Sequence, residues 1–343
     1  MKQSVFTSSK VFWNTAQAFV HHYLPDIRKV SVHTVSSYKD GLNGYIGYLE
    51  EEKSIQRKNM CFNHLTEDRI KEYQNWLLNV KGNSPKTSNL RLTSIRSFLE
   101  YAANEHPDLT ALYISARDVK DSKAETKPIE YFEKVQMKAI LTSPDINTKT
   151  GRRNQMMLIL MYDSGARVSE LLELRLSSIH LQGPVPYATL HGKGGKYRNV
   201  PLMDKTCRHL KRYIKEFHES TEPDTPLFYS VSHGRKHRLS SDTMEQSIKK
   251  SAEKARGQGV DMPASCHCHM VRKTRAMDLY QSGVPLTHIQ QLLGHEDIST
   301  TSGFYAFATL DTLAKSMANT NASDSNAEKE WKNPDVIKKL YSL

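Results

Sequence analysis

Two arginines and a histidine in the second half of the chain have side chains and spacings suited to holding a phosphate. Arg167 follows a turn at Gly165 and precedes an amphipathic run, so its guanidinium is expected at a helix N-terminus, where the helix dipole favours an anion. His269 and Arg272 are three residues apart, so on one helix face they can reach the same phosphate. Glu170 lies on the Arg167 face and could hold its neighbours in register. Together these residues predict an anion site, although a solvated His/Arg surface pair is an equally simple interpretation.

A lysine, a second histidine and a tyrosine could add proton donors and a nucleophile. Lys193 lies at the tip of a glycine-rich turn, residues 192–196, where missing side chains let a backbone approach closely. The turn lacks the Gly-x-x-x-x-Gly-Lys-Ser/Thr order of a nucleotide-binding loop. His295 follows Gly294, which marks a helix end, and Tyr305 follows a short polar turn. Taken singly, these residues also fit a plain surface hairpin, a helix cap and core packing.

The order of these segments resembles the signature of the tyrosine recombinase, or phage integrase, family. The matching segments are Gly-Ala-Arg-Val-Ser-Glu-Leu, Gly-Lys-Gly-Gly-Lys-Tyr-Arg-Asn-Val-Pro-Leu, His-Met-Val-Arg, Leu-Leu-Gly-His and Thr-Thr-Ser-Gly-Phe-Tyr. They lie within residues 131–313 and include the 23-residue step from Arg272 to His295. The resemblance implies six active-site residues, with Glu170 as an acidic support. The six are Arg167, Lys193, His269, Arg272, His295 and Tyr305.

The resemblance implies an enzyme, a site-specific recombinase or integrase that cleaves and rejoins DNA. Tyr305 would attack a phosphodiester and form a 3′-phosphotyrosyl intermediate, which conserves the energy of the broken bond, so no cofactor is expected. The two arginines and His295 would stabilise the charge of the transition state. Lys193 would protonate the departing 5′-hydroxyl, and His269 would take the proton from the tyrosine.

The expected partner is double-stranded DNA, bound by a homotetramer, and accessory proteins could take part. The expected role is integration or excision of a mobile element. Two alternatives stay open: a type IB topoisomerase, which shares the nucleophile and the arginines, and a catalytically silent DNA-binding module.

The chain departs from the family pattern at two places. Ten positions separate His295 from Tyr305 where nine are expected, and the flexible Gly303 could absorb the extra residue. Arg272 opens Arg-Lys-Thr-Arg rather than the usual Arg-His-Thr-Phe, which leaves the six residues untouched. Tyr280 is a rival nucleophile only by type, because it lies inside the helix predicted after Arg272.

The hydrophobic pattern predicts a mainly α-helical chain with one small β-hairpin. Residues 1–112 are expected to form about four helices, similar to the N-terminal core-binding (SAM-like) DNA-binding domain of the family. The last helix, residues 86–103, is predicted to place five apolar side chains in the core: Leu90, Leu92, Ile95, Phe98 and Leu99. Five basic side chains are candidates for DNA contacts, although a solvated face fits each of them as well: Lys86, Arg91, Arg96, Lys196 and Arg198.

Three further segments follow the helical module. Residues 113–128 are predicted to be an extended interdomain linker, since residues 115–128 have little apolar content and end in Lys127-Pro128, which disfavours helix. Residues 129–319 are predicted to form the catalytic domain, and residues 320–343 a tail that could be exchanged between protomers. The predicted elements of the catalytic domain include helices near 131–141 and 152–164 and hairpin strands at 187–190 and 197–201.

Composition is consistent with a nucleic-acid partner. The 343 residues contain 48 Lys and Arg against 37 Asp and Glu, a net charge of +11, and 38% hydrophobic residues argue against a disordered polycation. The N-terminus lacks the apolar stretch of a secretory signal, and no apolar run is long enough to cross a bilayer. Four sparse cysteines suggest no disulfide framework, and the cluster at 266–269 lacks a second metal-ligand pair. The expected location is the cytoplasm, with no membrane partner.

Overall fold

The computed structural model describes residues 4–124, 129–192, 195–219 and 222–294. The chain divides into two compact units between Lys127 and Pro128. Mainly helical structure with small antiparallel sheets confirms the predicted fold class. Among the helices of these residues, none combines the length and the apolar content that crossing a membrane requires.

The first unit is a helical module around a core of aromatic rings. The ring of Phe12 lies 5.4 Å from that of Phe62 and 5.7 Å from that of Phe98, both edge to face. Ser84 accepts a hydrogen bond from the Thr87 N–H and so begins the helix that supplies Phe98. The described helices are α1 (Ser9–Ala18), which continues as a wider π-helical segment (Phe19–Ile27), α2 (Val32–Lys53), α3 (Glu67–Asn79), α4 (Pro85–Glu105) and α5 (Thr110–Asp118).

Two features of this module differ from the sequence prediction. Helix α5 occupies residues 113–118 of the predicted extended linker, because Tyr113 and the fully buried Ala116 pack on the core of this unit. Leu90 is 56% exposed rather than inward-facing. It lies two residues before Leu92, and that spacing places the two side chains on opposite sides of α4.

The second unit contains seven described α-helices and two small sheets. Helix α7 is its centre, since Met157, Leu160 and Met161 are fully buried in one continuous core. The helices are α6 (Lys134–Thr142), α7 (Lys149–Ser164), α8 (Val168–Glu173), α9 (Asp204–Phe217), α10 (Ser241–Gly257), α11 (Cys268–Gln281) and α12 (Leu286–Leu293). The strands are β1 (Ile179–His180), β2 (Tyr187–His191), β3 (Tyr197–Pro201), β4 (Tyr229–Ser232) and β5 (Arg235–Arg238).

Strands β2 and β3 form the predicted hairpin, antiparallel and in register from Tyr187 opposite Pro201 to His191 opposite Tyr197. Strand β1 extends it to three strands. Alternation turns Leu190 and Val200 into the core. The inward face of this hairpin therefore meets the helices that carry the candidate site.

Candidate active site

Arg167 lies at the start of α8, as the sequence predicts. The preceding Gly165 has φ +61°, and a Cβ atom there would lie 2.9 Å from a methyl carbon of Leu293, so the turn requires glycine. The Arg167 backbone N–H donates to Glu170 Oε2 at 2.8 Å, and Nη1 donates to Oε1 at 2.8 Å. Arg167 is therefore held by the carboxylate one helical turn further on, while its side chain stays 37% exposed.

Glu170 is the centre of the site among the described residues. It is 3% exposed and accepts two further hydrogen bonds from Arg198, at 3.0 and 2.7 Å, and its Oε2 lies 3.9 Å from Arg272 Nη1. Burial alone would raise its pKa, but the hydrogen bonds from Arg198 and Arg167 outweigh burial and lower the pKa to about 2. The carboxylate is thus ionised at neutral pH, and the guanidinium groups around it leave a net positive charge.

Arg272 is buried on α11, with 2% of its surface exposed. Its Nη1 donates to the Gly165 carbonyl at 2.8 Å and its Nη2 to the Leu293 carbonyl at 2.6 Å. Burial, followed by repulsion from Arg167, lowers the pKa of the Arg272 guanidinium to about 9, so it keeps its charge at neutral pH.

His269 lies one turn before Arg272 on α11, and its side chain is exposed. Partial desolvation, and then the positive charges of Lys273 and Arg272, lower its pKa to about 4. At neutral pH the imidazole is therefore neutral and can accept a proton, which is the state that a general base requires.

The C-terminal end of α12 joins this cluster through three consecutive carbonyl groups. Those of Leu292, Leu293 and Gly294 accept hydrogen bonds from Arg198 (2.9 Å), Arg272 (2.6 Å) and Arg167 (3.5 Å), respectively. The last carbonyls of a helix have no partner within it and carry the negative end of the dipole, so arginines suit them. Gly294 ends the helix in the left-handed region, φ +65°, as its sequence position predicts.

A second buried ion pair attaches α11 to the end of α7. Arg275 Nε donates to the Asp163 carbonyl at 3.1 Å, Arg275 Nη2 lies 3.3 Å from Asp163 Oδ1, and Oδ2 accepts the Met203 N–H at 2.8 Å. Sequence reasoning missed this support. The sequence feature that could have indicated this ion pair is the segment Arg-Lys-Thr-Arg, which begins at Arg272. It places Arg275 where the family usually has a phenylalanine ring.

The described residues thus bring together Arg167, Glu170, His269 and Arg272. The other three predicted active-site residues, Lys193, His295 and Tyr305, lie outside the described residues, and so does the predicted tail.

The candidate DNA contacts fall into two groups. Lys86 and Lys196 are exposed, and Arg91 is half-buried. The guanidinium of Arg96 binds the carbonyls of Ala116 and Val119 and pairs with Asp121 at 2.7 Å. Arg198 points into the site, where Glu170 and Leu292 hold it. The DNA contacts stay predictions, and Arg96 and Arg198 have structural partners in addition.

Comparison with known proteins places both units in one family. Residues 130–309 match the Phage integrase family, and residues 17–106 match the "Phage integrase, N-terminal SAM-like domain". The tyrosine recombinase XerD of Oceanobacillus iheyensis is 30% identical over 288 residues, which cover 82% of this chain and 89% of XerD.

Solved structures share the fold. The XerH site-specific recombinase in a post-cleavage complex with its palindromic difH substrate superposes with a TM-score of 0.66 and 19% identity, covering 91% of this chain and 84% of XerH. A lambda integrase tetramer bound to a Holliday junction gives a TM-score of 0.64 and 16% identity, covering 85% and 76%. With an arginine-rich site on the matching unit, the chain belongs to the phage integrase family of tyrosine site-specific recombinases, enzymes of DNA strand transfer.

Proposed function

We propose that this chain cuts and rejoins specific DNA sites through a 3′-phosphotyrosyl intermediate formed by Tyr305, for integration or excision of a mobile element. The observation that supports it most is the cluster of Arg167, Arg198 and Arg272 around one ionised carboxylate, Glu170. The surplus positive charge attracts a phosphate, and rigid bonds keep the donors in place before the substrate arrives.

The reaction needs charge stabilisation at the equatorial oxygens of a pentavalent phosphorus. Arg167 and Arg272 provide planar donors for those oxygens, and His295 adds one more. The neutral His269 takes the proton of Tyr305, while Lys193 protonates the departing 5′-oxygen. The 5′-hydroxyl of a second strand then attacks the phosphotyrosine and releases the enzyme.

A nicked suicide substrate, from which the cleaved 5′ end diffuses away, tests this chemistry. Wild type is expected to accumulate a covalent adduct that resists denaturation, and Tyr305→Phe none. Tyr280→Phe is the matched control, since it removes a phenol from α11 and should leave the adduct intact. Wild type that binds this DNA without any adduct would identify a silent binding module.

Strand exchange separates a recombinase from a topoisomerase. Two labelled duplexes that carry the site should yield recombinant products. Adduct formation with relaxation of supercoiled plasmid, but without exchange between sites, would indicate type IB topoisomerase activity.

We also propose a homotetramer on DNA in which the tail, residues 320–343, docks on the adjacent protomer and orders its Tyr305 segment. Deletion of residues 334–343 is expected to weaken both assembly on DNA and cleavage. Unchanged assembly and recombination after the deletion would rule out the proposed docking of the tail.

We place the reaction in the cytoplasm. The four cysteines are buried free thiols, which suits the reducing conditions of that compartment.

A further inference from the structure

Arg198 occupies an unusual position for a basic residue in a small hairpin. It lies on β3 opposite Leu190, two residues before Val200, and these two neighbours are fully buried. Alternation therefore turns Arg198 toward the core, and its side chain is 13% exposed. A charge in this place needs bonding partners, since burial without them is costly.

Its partners are the elements that carry the site. Two hydrogen bonds in a fork reach both carboxylate oxygens of Glu170 on α8, and Nε donates to Leu292 at the end of α12. One guanidinium thus links the hairpin, the Arg167 helix and the turn that leads to His295. A lysine cannot make this connection, because its ammonium lacks the planar fork.

The guanidinium lies between two glycines and packs tightly against one of them, Gly294. A Cβ atom at Gly294 would lie 3.0 Å from Arg198 Nη1, and one at Gly192 would lie 3.4 Å from the same nitrogen. The Gly192 N–H closes the turn onto the Lys196 carbonyl at 2.7 Å. Gly294, beside His295, therefore lets the end of α12 approach this side chain more closely than a residue with a Cβ atom would allow.

Arg167 and Arg272 must offer N–H groups to a phosphate during the reaction, whereas Arg198 is committed to Glu170 and Leu292. We propose that Arg198 is a positioning residue, which fixes the turn carrying Lys193 and the α12 end before His295 relative to Arg167. This inference rests on the proposed function. It gives Arg198 a role in the rate of cleavage, in place of the DNA contact that the sequence predicts for this residue.

Single-turnover cleavage of the suicide substrate by the full chain, at saturating DNA, tests this role. Arg198→Gln is expected to slow adduct formation by about 100-fold, the effect of misplacing reacting groups by roughly 1 Å, without weakening DNA binding. Arg198→Lys should recover only part of the rate. Arg152→Gln is the control, because it removes a similar fork between Arg152 and Glu216, on α7 and α9.

A substrate with sulfur in place of the 5′ bridging oxygen separates this role from a general loss of structure, which would slow cleavage of both substrates equally. Its thiolate leaves without a proton, so misplacement of Lys193 matters less. The rate deficit of Arg198→Gln should shrink by about tenfold or more on this substrate, as for Lys193→Ala. Thermal unfolding checks that Arg198→Gln is folded. If it is not, the same two substrates are compared with Arg198→Lys.

Three outcomes would overturn the proposal: weakened DNA binding with an unchanged rate at saturation, an equal deficit on both substrates, or a full rate in Arg198→Lys. Each can be told from failure of the proposed function, in which wild type forms no adduct on either substrate.

Discussion

Glu170 determines how much positive charge the site keeps. Its single buried carboxylate faces Arg167, Arg198 and Arg272. The spacing of Glu170 after Arg167 predicts the first of these contacts, because residues three apart share a helix face. The bond to Arg198 joins residues 28 positions apart and depends on tertiary packing, so no local pattern predicts it.

Replacement of Glu170 by Gln should make stability less dependent on acid pH. In the folded protein the pKa of Glu170 is lowered from its ordinary 4.5 to about 2, so the stability that this carboxylate contributes is full above about pH 5 and is lost as pH falls toward 2. At pH 7 Glu170→Gln should lower the free energy of unfolding of the catalytic unit by about 3 kcal/mol.

Urea denaturation of the two proteins at pH 7 and at pH 3 measures this effect, and the gap between them should narrow at the lower pH. Glu173→Gln serves as the control, because that carboxylate is exposed and pairs only at the surface. An equal loss for both variants would contradict a special role for Glu170.

At the scale of elements, the sequence predicts the helices and strands with a clear hydrophobic period, but not the tertiary contacts that join them. Alternation and the glycine turn predict the β2–β3 hairpin, and a closing glycine predicts the end of α12. Helix α5 was not predicted, because it is short and is stabilised by packing on α4, which is a tertiary contact. The ion pair between Asp163 and Arg275 was not predicted, because 112 residues separate the two side chains in the sequence.

Asp163→Ala should strongly destabilise the unit that carries α11. The change leaves the buried Arg275 without its counter-charge and removes the acceptor of the Met203 N–H, so a loss of about 3–5 kcal/mol is expected. Denaturant unfolding measures it, with the exposed Asp224→Ala as the matched control.

The double variant Asp163→Ala with Arg275→Met should lose less stability than the sum of the single changes, since no buried charge stays unpaired. Strict additivity would show that the two side chains do not depend on each other.

At the scale of the whole molecule, the charge of +11 is partly concentrated on one projecting hairpin. Residues Arg235–Arg238 of β5 are all exposed, and a tight turn with positive φ at His233 and Gly234 connects β5 to β4. Arg238 pairs with Glu173 at 3.2 Å, which attaches the hairpin to the helix that begins after Arg167. Composition predicted an acidic partner but could not predict this location.

The β4–β5 hairpin should contribute to DNA binding through phosphates. Arg235→Gln and Lys236→Gln are each expected to reduce the slope of log K against log salt by about 1, with similar effects on specific and unrelated DNA. Fluorescence anisotropy over a salt series measures the slope. Lys215→Gln, which removes an exposed lysine from α9 rather than from the hairpin, is the control. An unchanged slope in both hairpin variants would rule the hairpin out.

The three carbonyls at the end of α12 have a consequence for the enzyme without DNA. Like-charged groups gathered for a polyanion would repel one another in its absence, yet here a helix terminus supplies partial negative charge in place of the missing substrate. In the protein without DNA, the end of α12 therefore lowers the repulsion among the three arginines, and the site stays assembled without a bound ion.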